Sequence, residues 1–582
     1  MLNVASINQM SESQLRDLAH QLMTQLADQS KQLTQFSSLI AQRDADIAQR
    51  DQAIEAKEQR ILMLTHEIAV LKRWKFGRSR EGLNADQLSL LDETIDTDIA
   101  AIELELEALS QDSVERKAAT PRKPRRMPLP ADLPRREFHH EPASTQCASP
   151  GCGAPLQRMG EDITEKLDYT PGTFTVERHI RGKWVCRCCE KLVQAPVPAC
   201  VIDKGIPTEG LLAHVLVAKY ADHLPLARQE KIFARAGLGI ARSTLAQWVG
   251  ECGVQLQPLV DALRAEVLAS PVLHADETPV QMLKPGAGKT HRAYLWAYAT
   301  GRFEPLRAVI YEFRESREGK HASTFLQGWR GHLMVDDYAG YKAVLANKDV
   351  IELGCLAHAR RKFFDLYQAA GSPVAAKALE YMGQIYDIER SVVDASREVR
   401  YEIRSRRSRP IMEALRAWMV LQRSQVPDGS ATAKALEYSL RRWEALTRFV
   451  DDGNLPVDNN HLERQIRPIA VGKHNWLFAG SLRAGKRAAA VMTLLNSARL
   501  NGHDPYAYMK DVLQRLPTHK MSAIGELLPH RWQPSLGRLL SSPSVFKDRK
   551  TLEIGWIVYT CPRQVNGHEY TMHNVGPIIY KI

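Results

Sequence analysis

No apolar run in this sequence approaches the roughly 18 residues that a membrane-spanning helix needs. The longest, such as Leu211–Tyr220, is interrupted by His214 and Lys219. The N-terminus lacks a basic segment followed by an apolar one, so no secretory signal is expected and the expected location is cytoplasmic. Ser11–Phe76 contains neither proline nor glycine, the two residues that break helices. Residues 84–115 contain no Lys or Arg beside ten carboxylates. Cysteine is sparse, nine in 582 residues, and five of the nine fall within 147–189. In a cytosolic chain such closely spaced pairs point to metal before disulfide.

What is present reads as a globular chain, 25% charged and 44% hydrophobic. At one domain per roughly 100–200 residues, the length predicts three to five domains, about as many as its composition changes mark. The balance of 78 Lys and Arg against 67 Asp and Glu leaves +11, a modest excess that permits a polyanionic partner. Eight basic side chains in 116–136 follow the acidic stretch, in segments such as Arg122–Arg126. This basic part reads as a phosphate-contacting arm or as a solvated linker.

Along the chain, Leu26, Leu33, Ile40, Ile47, Ile54, Ile61 and Ile68 recur every seven residues, predicting a coiled-coil helix over 11–80. Polar Gln29, Arg43, Arg50 and Lys57 at the second seam position weaken it mid-coil. Residues 81–140 read as a charged linker, proline-rich in its second half. Cys147-x4-Cys152 and Cys186-x2-Cys189 can close a tetrahedral thiolate site for structural zinc in a ribbon-like module, 141–204. Cys188 sits inside the second pair and competes with its neighbours. Over 205–265, Thr208–Tyr220, Pro225–Ala236 and Ser243–Ala262 read as helices, with Ser243 as an N-cap. Helix, glycine-containing turn, helix is a helix-turn-helix pattern, although most such pairs are only structural. Residues 266–516 change character. Strand-like runs at Val272–Ala275, Ala293–Thr300, Ala308–Phe313, Leu333–Val335 and Val350–Leu353 predict an α/β sheet, and 366–450 return to helical periodicity.

Asp276 and Asp336 each follow a short apolar run, where an acid is costly unless something binds it. Glu463 lies on a predicted helix, with Asn459 and Arg467 four residues to either side. Two aspartates and a glutamate can hold two Mg²⁺ or Mn²⁺ ions. Among 67 acids, composition alone leaves this a weak inference.

The three motifs, in this order, resemble the large transposase of the insertion-sequence 66 family. Supporting segments are Trp74–Glu81 (WKFGRSRE), Leu129–Arg135 (LPADLPR), Lys219–Leu226 (KYADHLPL), Cys355–Phe363 (CLAHARRKF) and Lys473–Ser481 (KHNWLFAGS). The resemblance implies a multidomain α+β protein with an RNase H-like α/β catalytic core of the DDE type, interrupted by a helical insertion. It implies Asp276, Asp336 and Glu463 as the catalytic acids, with Asp337 a competitor of Asp336. Glu277 is left out because strand alternation turns it away from Asp276. Arg360, Arg361, Lys362, Arg464, Arg467 and Lys473 become candidates for gripping DNA phosphates, and His358 for a phosphate contact or a structural role. The implied partners are terminal inverted repeats and target DNA, a second copy through the coiled coil, and small accessory proteins of the same element. A non-catalytic DNA-binding regulator and a nuclease that cuts without joining are the rival readings. The family ending resembles Ile524–Trp532; the 517–582 tail runs about 50 residues beyond it, with strand-like Ile554–Tyr559.

Overall fold

The structure, a computed structural model, describes residues 12–76, 85–110 and 129–534, apart from 132, 151, 171, 203–204 and 284–289. Most of the basic arm and the tail with Ile554–Tyr559 and Cys561 lie outside these residues.

Helix α1 (Glu12–Phe76) is the expected heptad helix. Its seam residues Leu26, Leu33, Ile40, Ile47 and Ile54 are 53–67% exposed, so this stripe does not pack on its own chain. Leu64 is buried, near where α2 (Ala85–Ser110) packs against α1. The expected linker is thus in part a helix. Its acids find partners remote in sequence: Glu93 pairs with Lys219 and Asp98 with Arg487 at 2.8 Å, both acids buried. Arg483 bridges Glu67 of α1 and Glu105 of α2.

A small sheet follows, in the order β1 (Arg135–His140), β3 (Thr173–Val185), β2 (Gln157–Thr170), with β4 (Leu192–Gln194) also on β3. Then come α3 (Glu209–Tyr220), α4 (Leu226–Arg235), α5 (Arg242–Gln255) and α6 (Gln257–Val267). Ser243 is not the cap. Helix α5 starts one residue earlier, and the Arg242 N–H is satisfied by the Glu230 carboxylate at 2.9 Å. The run expected to 262 breaks at Leu256, because Pro258 starts α6. Helix α5 is itself core: Leu245, Ala246, Trp248, Val249, Gly250, Cys252 and Gly253 are buried, partly under α2. An added Cβ at Gly250 would lie 2.4 Å from the Thr97 carbonyl oxygen, so glycine permits that close approach. The other face of α5, with Ser243 and Gln247, stays open.

The main sheet has the order β7-β6-β5-β8-β9, built from β5 (Val272–Leu283), β6 (Thr290–Thr300), β7 (Val309–Arg314), β8 (Gly331–Val335) and β9 (Val350–Gly354). Strands β5, β6 and β7 are antiparallel neighbours, whereas β8 and β9 run parallel to β5. A short helix, α7 (Lys320–Phe325), lies in the crossover to β8. Helices α8 (Leu356–Ala370), α9 (Pro373–Ser391), α10 (Arg397–Ile403), α11 (Arg409–Gln425) and α12 (Ala431–Arg441) build a second core around Phe363, Met382, Ile385, Leu415 and Leu436. The chain returns to the sheet with α13 (Asn460–Trp476), α14 (Leu482–Leu500) and α15 (Pro505–Arg515). Helix α14 covers the edge strand: Thr493 and Ser497 hydroxyls accept from the Tyr311 and Val309 N–H groups at 2.9 and 3.1 Å.

Arg404 fastens the helical insertion. Its side chain is fully buried, makes two bonds to Glu389 at 2.8 and 2.6 Å, and donates to the Phe449, Asp452 and Leu455 carbonyls. Arg404→Ala leaves Glu389 and three carbonyls without that partner. The expected cost is about 3–5 kcal/mol, read as a lowered midpoint in urea unfolding; a midpoint equal to that of the unsubstituted chain rejects this role.

Candidate active site

Strand pairing sets two of the expected acids side by side. The β5–β8 register matches Leu273 with Leu333 and His274 with Met334. Two residues on, Asp276 and Asp336 lie in step at the ends of the parallel pairing. Glu463 is in the first turn of α13. Burial, then the charges of Glu277, Asp336 and Glu463, push the Asp276 carboxyl up to about 8. Asp276 accepts the Glu277 N–H at 2.8 Å, and Asp336 the Tyr338 N–H at 2.9 Å.

Helix α13 is held on β5 at both ends. At its start Asn459 is fully buried, donates to the Ala275 carbonyl at 3.1 Å and has its oxygen 2.8 Å from His274 Nδ1. At its end Lys473 donates to the Pro279 carbonyl at 3.1 Å, and Ala479 N–H to Gln281 at 2.8 Å. Leu462, Ile466 and Ile469 bury the face between. Asn459 therefore does not share the open face of Glu463; it sits at the N-cap position, makes no side-chain bond to the helix, and uses its amide to fix the helix start on β5 beside Asp276. Nothing in the local sequence separates the two roles, because the partner strand is about 180 residues away.

Two arginines that sequence reasoning missed frame the second acid. Arg442, after α12, donates to the Val335 and Asp336 carbonyls at 3.3 and 3.2 Å and pairs with Glu352. Arg317 is within 2.5 Å of Glu277 and stacks 3.7 Å from the centre of the Tyr338 ring. Glu277 is buried with Arg317 and the Tyr341 hydroxyl. Asp337 is 58% exposed and lies 3.9 Å from Arg442, so Asp336 is the acid turned to Asp276.

A cleft of about 370 Å³ opens beside Asp336, with Arg361, Lys362, His358 and Tyr438 on its wall. Arg360 lines a second cleft with Tyr386 and Arg390, which adjoins the first at Arg361 and Asp365. Arg464 and Arg467 are exposed on α13, whereas the Lys473 ammonium is taken up by Pro279. The six basic residues thus do not form one patch.

In the small sheet, Cys147, Cys152, Cys186 and Cys189 bring their sulfurs within 4.8 Å of one another. Cys147 and Cys189 are 3.1 Å apart, Cys152 and Cys186 3.6 Å. Thiolates around zinc at about 2.3 Å sit roughly 3.8 Å from each other, so this donor set fits structural zinc. Cys188 is exposed and outside the group.

The chain is similar to Uncharacterized protein y4jD of Sinorhizobium fredii, 39% identical over 420 residues that make up 70% of this chain and 81% of that protein. Residues 204–487 match the family model described as Transposase IS66 family. The chain belongs to the IS66 transposase family. The IS66 match spans the main sheet, the helical insertion and Glu463. Residues 145–190 match the zinc-finger binding domain of transposase IS66, which holds all four clustered cysteines. Residues 63–138 match a model described as Transposase C of IS166 homeodomain, and 493–530 the IS66 C-terminal element. Uncharacterized protein y4qI of the same organism is 37% identical over 82% of this chain and 90% of its own length. No described helix is long and apolar enough to cross a membrane.

Proposed function

We propose that this IS66 family member is the transposase that binds the terminal inverted repeats of its own insertion sequence, cuts at the 3′ ends and joins them to target DNA. The observation that carries this reading is the convergence of Asp276, Asp336 and Glu463 from two parallel strands and one helix. Three antiparallel strands followed by two parallel ones, with acids on the first strand, directly after the fourth and on a later helix, support an RNase H-like core of the DDE type.

The donor set fits hard divalent ions. Asp276 is desolvated among other acids, an arrangement that a bound cation relieves. Asp276, Asp336 and Glu463 would hold two Mg²⁺ or Mn²⁺ ions, which when bound activate the attacking oxygen and stabilise the departing one. Asn459 and Arg442 position the acids, through the α13 start and the Asp336 main chain. Arg361, Lys362, Arg464 and Arg467 are placed to contact phosphates, and Arg360 to contact DNA along the second cleft. Lys473 serves α13 instead. The zinc module recognises the ends, the exposed α1 seam pairs subunits, and small proteins of the same element assist.

The test is a labelled duplex of the element's terminus with the full chain, Mg²⁺ or Mn²⁺, and EDTA as control. Nicking and joining are expected with metal and are abolished in Glu463→Gln, while end binding survives. Asp336→Asn is expected to match that loss and Asp337→Asn to retain activity. Tight binding with no cutting, even with the accessory proteins added, would favour the regulator reading.

A further inference from the structure

Beside the acids lies a second donor cluster of different chemistry. Cys355, His358 and Glu463 place a sulfur, an imidazole nitrogen and a carboxylate oxygen within 4.8 Å of one another. Cys355 is the N-cap of α8 and His358 is in its first turn, so two donors come from one rigid element. The third comes from α13, which the Asn459 contacts hold in place. The Cys355 sulfur accepts the Asn459 N–H at 3.2 Å and the His358 N–H. Burial holds the Cys355 thiol well above its ordinary value despite these two main-chain donors, so the sulfur becomes a ligand only when a bound ion displaces its proton. His358 Nδ1 is buried, has no hydrogen-bond partner among the described residues, and stands 3.9 Å from Glu463. Donors around one zinc ion lie roughly 3.3–3.8 Å apart, so a small contraction closes the set.

We propose that Cys355, His358 and Glu463 bind a single divalent ion of the zinc class, and that its occupation withdraws Glu463 from the two aspartates. Sulfur and imidazole select zinc or cobalt over magnesium, which takes oxygen ligands. Three protein ligands leave a fourth position for water. Cys355 gives up its proton to solvent on binding. The site then acts as a brake, because a Glu463 carboxylate drawn toward Cys355 and His358 is drawn away from the ions between Asp276 and Asp336. The brake rests on the role proposed above for Glu463; the binding site does not.

The experiment titrates Co²⁺ into the full chain with its four-cysteine site loaded with zinc, without DNA or magnesium. A thiolate-to-cobalt charge-transfer band is expected to saturate at one further equivalent; cobalt held by the carboxylates alone gives no such band. His358→Ala and Cys355→Ser should lose that equivalent, since a lost ligand costs more than the roughly 10–100-fold that a lost outer hydrogen-bond partner costs. The His358 variant covers the case in which Cys355→Ser misfolds. Asp276→Asn should keep the equivalent. An equal charge-transfer band in the unsubstituted chain and His358→Ala, or no such band in the unsubstituted chain, overturns the proposal. This readout needs no cutting, so it stands or falls apart from the transposase reading. In the cutting assay, added Zn²⁺ should suppress the magnesium-dependent rate of the unsubstituted chain but not that of His358→Ala. Cobalt binding without zinc inhibition would overturn the brake alone.

Discussion

Asp276→Asn is expected to lose DNA cutting by on the order of 10³-fold while making the metal-free protein more stable above neutral pH. The rate estimate follows from several kcal/mol of charge stabilisation at a metal-held site, about 4 kcal/mol being a factor of about 10³. The stability gain follows from linkage. The folded-state carboxyl is raised from 3.8 to about 8 by burial and by Glu277, Asp336 and Glu463. Between those values the folded protein keeps a proton that the unfolded chain releases, so stability falls as pH rises and levels off once both forms are ionised. Asparagine carries no charge to desolvate and removes that slope. Magnesium should raise the melting temperature of the unsubstituted chain, since a ligand of the native state stabilises by mass action. It should raise that of Asp276→Asn far less. Melting curves across pH in EDTA and in Mg²⁺, beside the cutting assay, test both halves. A variant that melts lower than the unsubstituted chain at about pH 8.5 in EDTA, or that still cuts, removes Asp276 from the site.

Cys186→Ser should unfold the cysteine-bearing end of the small sheet while the main sheet, with Leu167, Phe174 and Val176 packed in its core, remains intact. Cys186 is fully buried, and the apolar cluster around it is small: Cys147 and Leu156, with Cys152, Ala154, Trp184 and Val193 against them. So little apolar burial stabilises weakly, whereas structural zinc contributes about 10–16 kcal/mol of apparent binding energy in finger peptides. Replacing one thiolate should therefore cost the ion and the local fold together. Metal analysis should show one zinc equivalent fewer per chain, and limited proteolysis should cut within 141–200 before any site in the main sheet. Exposed Cys188 supplies the control, and Cys188→Ser should change neither. Equal zinc content in Cys186→Ser would remove it from the ligand set.

How far the sequence reached depended on the range over which each feature is encoded. The α1 heptads were legible because a seven-residue stripe is local, and α1 leaves most of that stripe uncovered. The five strands of the main sheet were legible as apolar runs, as were Asp276 and Asp336, because an acid after a buried strand stands out on its own. Helix α2 was not legible. Ten carboxylates without a basic residue read as solvated chain, and only the fold brings Lys219 and Arg487 to two of them. That α2 packs on one face of α5 was not legible either, because the two helices are about 150 residues apart in sequence. Asn459, Arg442 and Arg317 were silent for the same reason: each acts through a group that is remote in sequence but adjacent in space.

The sequence by itself marked the heptad helix, the clustered cysteines and the apolar strands, since residue type and local periodicity carry those, and pointed to the three acids through the family resemblance. Only the tertiary structure decided which acids meet, which helix faces stay open and which cations are already spent. Those outcomes depend on what covers each face, and long-range packing, not local pattern, supplies the cover.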